Sequence, residues 1–166
     1  SKIFPYSTLF RSVVDIINNS CILEPFGNIN DLELPVIERL CHINFFGALY
    51  MIKAFLPHLL ERPSAHIVNV ASMGGFIPIP GQSIYGATKA AMKLLTEGLN
   101  SELTDTNVDV SIVFPGAVKT NIMTNSGLEM PETPHDQKSR FNPMVPALAA
   151  DIIVDAMEKG KERIFV

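Results

Sequence analysis

Short runs rich in β-branched residues alternate along this chain with stretches of helical character, and that alternation restricts the fold more than any other feature. Residues 66–71 (HIVNVA) and 108–114 (VDVSIVF) are such runs, and residues 13–18 (VVDIIN) form another. Each reads as a buried strand bounded by turn residues, and the segment leading to the next has helical periodicity. Strand, helix, strand, helix, strand is the pattern of a parallel sheet, because parallel neighbours need a long connection that returns over one face. In such sheets ligands gather beyond the carboxyl ends of the strands. Ser72 and Pro115 stand at those ends.

The segments between the runs supply the helices. Residues 34–60 carry Ile37, Leu40, Ala48, Ile52, Phe55 and Leu59 at steps of three and four, an amphipathic stripe. Asn44 falls on that stripe, where a polar group must find a hydrogen-bond partner. A second helix is expected to open at Tyr85 and run to about residue 103, with a turn over residues 104–107. Residues 146–159 read as an amphipathic helix and residues 163–166 as a further strand. From 121 to 146 no periodicity survives, and Met123, Leu128, Met130, Phe141 and Met144 are scattered among Gly, Pro, Ser, Asn and Thr. Loops of that length commonly serve a function. Residues 1–12, SKIFPYSTLFRS, fit none of these patterns, since Pro5 and the Ser/Thr residues make a poor helix.

Chemistry concentrates in residues 66–89, HIVNVASMGGFIPIPGQSIYGATK. Ser72 ends a strand, Gly74, Gly75, Pro78, Pro80 and Gly81 punctuate a loop, and Tyr85 and Lys89 follow at i,i+4 on one helix face. A phenol with a pKa of about 10 exchanges protons poorly at neutral pH, but a cation one turn away favours phenolate and lowers that value. Tyr85 is therefore a candidate general acid/base, and Ser72 a donor to the alcohol or carbonyl oxygen whose proton Tyr85 handles. Tyr and Lys at this spacing are common on helices, and a serine ending a strand commonly serves only a turn. The combination is what points to a hydride-transfer site.

With those residues in place, the sequence resembles the short-chain dehydrogenase/reductase family. Asp15-Ile16-Ile17-Asn18-Asn19 is similar to the family's strand ending in NNAG, and Asn44 to its helix asparagine. Ser72, Tyr85 and Lys89 match its catalytic group, and residues 115–120 (PGAVKT) match its PGxVxT motif. The resemblance implies an α/β, Rossmann-type, doubly wound parallel sheet in three layers. It extends over residues 14–166, leaves 1–13 unmatched, and corresponds to the C-terminal portion of a family member.

The implied activity is hydride transfer between NAD or NADP and a secondary alcohol or its carbonyl. In it Tyr85 is the acid/base, Lys89 its pKa partner and a ribose contact, and Ser72 the donor to substrate oxygen. Asn44 would hold a water that links Lys89 to solvent. Asn18, Asn19, Pro115, Gly116, Val118 and Thr120 are implied cofactor contacts, alongside Tyr85 and Lys89. Where the family has Ala-Gly, this chain has Ser20-Cys21, and the side chain of Cys21 stands against close cofactor approach at that turn. Residues 121–146 would close over substrate, their methionines favouring a lipophilic one. The two long helices resemble the faces through which the family dimerises, implying a homo-oligomer. No GxGxxG or TGxxxGxG occurs, so this chain alone is expected to bind the cofactor weakly, and the strand whose terminal charge would select NAD or NADP is absent too, so that choice is not legible.

Composition narrows the remaining classes. A chain of 166 residues with 47% hydrophobic content supports one core. A net charge of -4 and a pI near 5.5 leave no basic footprint for nucleic acid. Cys21 and Cys41 sit in no metal or CxxC spacing and read as reduced, partly buried thiols, which suits a reducing, cytoplasmic setting. His42 and His135 show no metal-ligand spacing, and His58 and His66 read as solvated. Residues 43–60 are apolar enough to raise the question of a membrane span, but Lys53, Pro57 and His58 interrupt them and a buried helix is preferred. Two other readings stay open. Extended-type sugar-nucleotide epimerases and dehydratases also use YxxxK, but they call for a larger C-terminal substrate domain and give no reason for PGxVxT. A catalytically inactive fragment acting only through its dimer-type helices is the other.

Overall fold

β-branched side chains hold Asp15–Asn18 (β1), Ala65–Val70 (β2), Val108–Phe114 (β3) and Arg163–Phe165 (β4) extended. The computed structural model describes residues 14–129 and 143–166. Its strands pair in the order β1-β2-β3-β4, all parallel, with Ile16 beside Ile67, Ile67 beside Val110, and Val113 beside Ile164. Between them run α1 (Leu34–Cys41) and α2 (Gly47–Leu59), joined by one wide π turn, His42–Phe46, then α3 (Ser83–Glu102). A short α4 (Ile122–Asn125) and α5 (Pro146–Glu158) complete the described elements. The strands and long helices lie where sequence pattern predicts them, within a residue or two at each end.

The period of two along β2 and β3 divides the core. Ala65, Ile67, Val108 and Val110 face Ile52 and Leu59 of α2, Leu99 of α3 and Leu103 just past its end. Val68, Val113 and Ile164 face Ile153, Ala156 and Met157 of α5 on the other side. Helices on both faces make the three layers of a Rossmann-type α/β sheet. The strand order advances in one direction while the connecting helix changes face, so the last crossover has the opposite hand to the first two. Parallel crossovers are right-handed in nearly all proteins, which makes this one the exception.

Three expectations are modified. His66 is buried rather than solvated: its Nε2 lies 2.8 Å from Ser111 Oγ, which itself donates to the Lys161 carbonyl at 2.6 Å. With that hydroxyl proton already given, Nε2 must carry the ring proton. The helix Leu34–Leu59 is less enclosed than expected of a core helix. It is long and apolar enough by length and composition to cross a membrane, but one stripe, including Leu40, Ile52 and Leu59, is buried against the protein. The segment after β3 carries some regular structure among its described residues, α4 and a bridge between Val118 and Met144, where none is expected. Met130, His135 and Phe141 lie outside the described residues, as do residues 1–13. Cys21 and Cys41 are free and half-buried, and among the described residues no group of His, Cys, Asp or Glu is arranged to hold a metal.

Candidate active site

The carboxyl ends of β2 and β3 open onto a cavity of about 790 Å³, walled mainly by apolar groups that include Val70, Ala71, Ile79 and Ile122. Of the expected site residues, Asn19, Ser72, Tyr85, Pro115, Gly116, Val118 and Thr120 line it. Asn18, Asn44 and Lys89 do not.

Ser72 follows β2 and caps the short turn Met73–Gly75, its Oγ accepting from Gly74 N–H at 3.1 Å. That bond leaves the hydroxyl proton free for a second partner, and a hydrogen bond from Ser72 is among the influences that lower the Tyr85 phenol. The two meet because the turn lies against α3 with almost no gap. A Cβ on Gly75 would fall 3.0 Å from the Lys89 carbonyl carbon and 3.1 Å from its oxygen. One on Gly86 would fall 3.1 Å from the Gly74 carbonyl oxygen. Glycine at both places is thus favoured by close backbone approach, since a Cβ would need the facing backbone to give by a few tenths of an ångström, rather than by dihedral freedom. At Gly81, with φ at +81°, the dihedral itself demands it.

Tyr85 stands one turn before Lys89 on α3, with Lys89 Nζ 5.7 Å from the ring centroid. Lys89 is 1% exposed and donates to the Val70 carbonyl at 3.0 Å. Burial dominates both groups. It pushes the Tyr85 phenol up to about 12, against the Ser72 hydrogen bond, which lowers it, while Cys21 and Glu24 add to the rise. It holds the Lys89 ammonium below its ordinary range, with Cys21 opposing. The expectation that Lys89 brings the phenol towards neutrality is therefore corrected: desolvation raises the phenol, and Lys89 is not among the groups that shift it. Cys21 has an ordinary negative φ, so the turn after β1 needs no glycine, and its thiol stands on the cavity wall beside Lys89.

Asn44 lies in the π turn, where the extra residue gives the helix a local bulge. Its Oδ1 accepts from Ile22 N–H at 2.8 Å, and its Nδ2 donates to the Ile22 carbonyl at 2.9 Å and to Thr88 Oγ1 at 3.2 Å. Both amide protons are thereby committed, and the side chain ties the turn after β1 to α3. Asn18 is used similarly: its Nδ2 donates to Asn69 Oδ1 at 2.7 Å, and Asn69 passes the bond on to Thr96 Oγ1 at 2.9 Å.

Sequence reasoning misses Glu24 and Gln82. Glu24 is buried against the start of α3, and Gln82 Nε2 donates to its carbonyl at 2.9 Å. The available signal was the N-terminus of α3, where Gln82 stands at the cap position but makes no side-chain cap bond. First-turn amides left in that way must find an acceptor elsewhere in the chain.

Comparison with known proteins identifies the family. The model of the short chain dehydrogenase family matches residues 8–130. A putative oxidoreductase, SadH, of Mycobacterium tuberculosis is 35% identical over 163 residues, which cover 95% of this chain and 59% of SadH. Dehydrogenase/reductase SDR family member 7B of Rattus norvegicus is 35% identical over 113 residues, covering 68% of this chain and 35% of that protein. Among solved structures, a short-chain dehydrogenase from Sphingobium yanoikuyae in complex with NADPH superposes with a TM-score of 0.80 at 27% identity, over 95% of this chain and 60% of its own. The chain thus spans 59% or less of the length of these two curated relatives. With the family model matched across residues 8–130 and SadH aligned along 95% of the sequence, the chain belongs to the short-chain dehydrogenase family.

Proposed function

We propose that the whole protein is an NAD(P)(H)-dependent oxidoreductase that exchanges a secondary alcohol and its carbonyl, with an apolar substrate. One observation carries this reading: a serine hydroxyl, a buried phenol and a buried lysine converge beside an apolar cavity beyond the carboxyl ends of β2 and β3. The Sphingobium structure holds NADPH, and the alcohol dehydrogenase from Comamonas testosteroni, described as specific for bulky-bulky ketones, has a TM-score of 0.78 at 25% identity over 95% of this chain. Both support the assignment by similarity.

The residues present suit a nicotinamide ring and a substrate side by side. The cavity is roomy, its wall is apolar, and the backbone of residues 116–118 and the side chains of Asn19 and Thr120 border it. Asn19, Val118 and Thr120 would hold the cofactor, with Lys89 behind the wall and tied to the Val70 carbonyl. When bound, it supplies the hydride acceptor or donor. The chain supplies the proton. With a pKa of about 12, Tyr85 carries its proton at neutral pH and gives it to the oxygen of a carbonyl as that oxygen gains charge. Ser72 donates a hydrogen bond to the same oxygen, its acceptor side being occupied by Gly74 N–H. Lys89 keeps a hydrogen-bonded cation under the ring, and Asn44 keeps the Ile22 backbone and Thr88 in register with α3.

The substrate class is tested with steady-state KM values for a bulky aromatic ketone and for a small polar hydroxyketone. Ile79 lines the cavity and is 45% exposed, so Ile79→Asp changes the wall without burying a charge in the core. KM for the bulky ketone is expected to rise at least about tenfold more than KM for the polar one, since binding of apolar surface is what is lost. An equal rise for both contradicts the apolar assignment.

A further inference from the structure

Three consecutive residues after β1 join the elements that build the site. Ile22 exchanges backbone bonds with Asn44 of the π turn, and Leu23 N–H donates to Ser126 Oγ, just beyond α4, at 2.8 Å. Glu24 reaches α3. Its Oε1 accepts from Ile84 N–H at 3.0 Å and Tyr85 N–H at 3.1 Å, and its Oε2 accepts from Tyr85 N–H at 3.0 Å. Gln82 Nε2 adds a bond to the Glu24 carbonyl.

This is an unusual way to begin a helix. Short local side chains normally accept the first-turn amides, with little burial and no charge drawn from water. Here a carboxylate only 1% exposed does so from 61 residues away, against the positive end of the helix dipole. Burying a carboxylate is costly unless it is fully hydrogen-bonded, and a Ser or Asp at position 82 would cap α3 without that cost. What the distant carboxylate adds is a link between the turn after β1 and the backbone of the residue that carries the phenol.

We infer that Glu24 is a positioning residue of the active site, holding Tyr85 through its own backbone amide in fixed relation to the turn that borders the cavity. The inference rests on the reading of Tyr85 as the acid/base. Its electrostatic consequence has a definite sign. The groups that face the phenol are Glu24 and Cys21 from the turn after β1, Ser72 from the end of β2, and Lys89 on α3 itself. α1 packs there with apolar Val36 and Leu40. Glu24 is the carboxylate among them, and its negative charge favours the protonated phenol.

The test uses the whole protein, with alcohol oxidation followed over pH and thermal stability measured separately. Glu24→Gln removes the charge and keeps one oxygen, which at the place of Oε1 accepts from both amides, while its amide nitrogen takes the place of Oε2 and gives up that bond. Its kcat at the plateau is expected within about threefold of the parent, while the rising limb of kcat moves to lower pH by on the order of half a unit. Glu24→Ala removes the acceptor, and kcat is expected to fall at least about tenfold with a smaller change in cofactor affinity. If the Glu24→Gln profile overlies the parent's, or if Glu24→Ala lowers thermal stability with kcat unchanged, the inference is overturned. Should Glu24→Ala fail to fold, the Glu24→Gln profile alone decides. Tyr85→Phe, run in parallel, separates the two readings: turnover that survives it removes the acid/base assignment, whereas turnover lost there with both Glu24 variants unaffected removes only the role of Glu24.

Discussion

At the scale of single residues, the site is a contest over one proton. Burial raises the Tyr85 phenol to about 12, and the Ser72 hydroxyl works against it by donating to the phenol oxygen. Ser72→Ala ends that opposition and also withdraws the acceptor of Gly74 N–H. The pH at which alcohol oxidation rises should therefore move upward, and kcat should fall by roughly 10²-fold, the scale of losing one donor to a developing oxyanion. The pH profile of kcat/KM, which reports the free enzyme, checks the first and kcat the second; a kcat/KM limb displaced downward contradicts the assignment of Ser72 as donor. Ser72, Tyr85 and Lys89 were legible in the sequence because their relation is local, one strand end and one helical turn. Glu24 was not, because its partners lie 60 and 61 residues on and nothing in the string LEPFG marks a cap for a distant helix. The rise of the phenol through burial was equally invisible, since spacing gives proximity but not desolvation.

At the scale of elements, hydrogen bonds and close approaches tie the cavity wall together. Asn44→Ala leaves the buried Ile22 N–H and C=O without their partner, at a cost of about 1–3 kcal/mol for each orphaned group. Denaturant unfolding should register that loss even in preparations without substrate. If Asn44→Ala were as stable as the parent, the clamp between the π turn and the turn after β1 would have no energetic content. The extra residue of that π turn left no trace in the sequence, where Leu40, Asn44, Ala48 and Ile52 read as an uninterrupted stripe. β2 carries its own pH dependence. Burial lowers the pKa of His66 despite the opposing charges of Asp109 and Asp15, and its Nε2 proton is engaged by Ser111. A depressed folded-state value means the unfolded chain binds the proton more readily. Stability from this group is thus complete above the unfolded pKa of about 6.5 and is lost as pH falls towards and through the folded value. His66→Gln should flatten unfolding free energy over that acid window, and a slope unchanged by the substitution contradicts the assignment.

At the scale of the whole molecule, the parallel sheet with helices on both faces was readable from alternation alone, whereas the reversed hand of the last crossover was not, because sequence period does not reveal which face a helix covers. These residues span 59% of SadH and contain no glycine-rich phosphate loop. The 166-residue chain by itself is accordingly predicted to bind NADH and NADPH only weakly, and calorimetric titration giving tight binding of either contradicts that. The central claim concerns the phenol. In the whole protein, Tyr85→Phe preserves the ring that packs with Ile22 and Leu40 and removes only the hydroxyl. Steady-state turnover of a secondary alcohol and its ketone, with cofactor affinity measured independently, is the direct measurement. The account predicts kcat lower by roughly 10²–10⁴-fold with cofactor affinity little changed; turnover near that of the parent would contradict it.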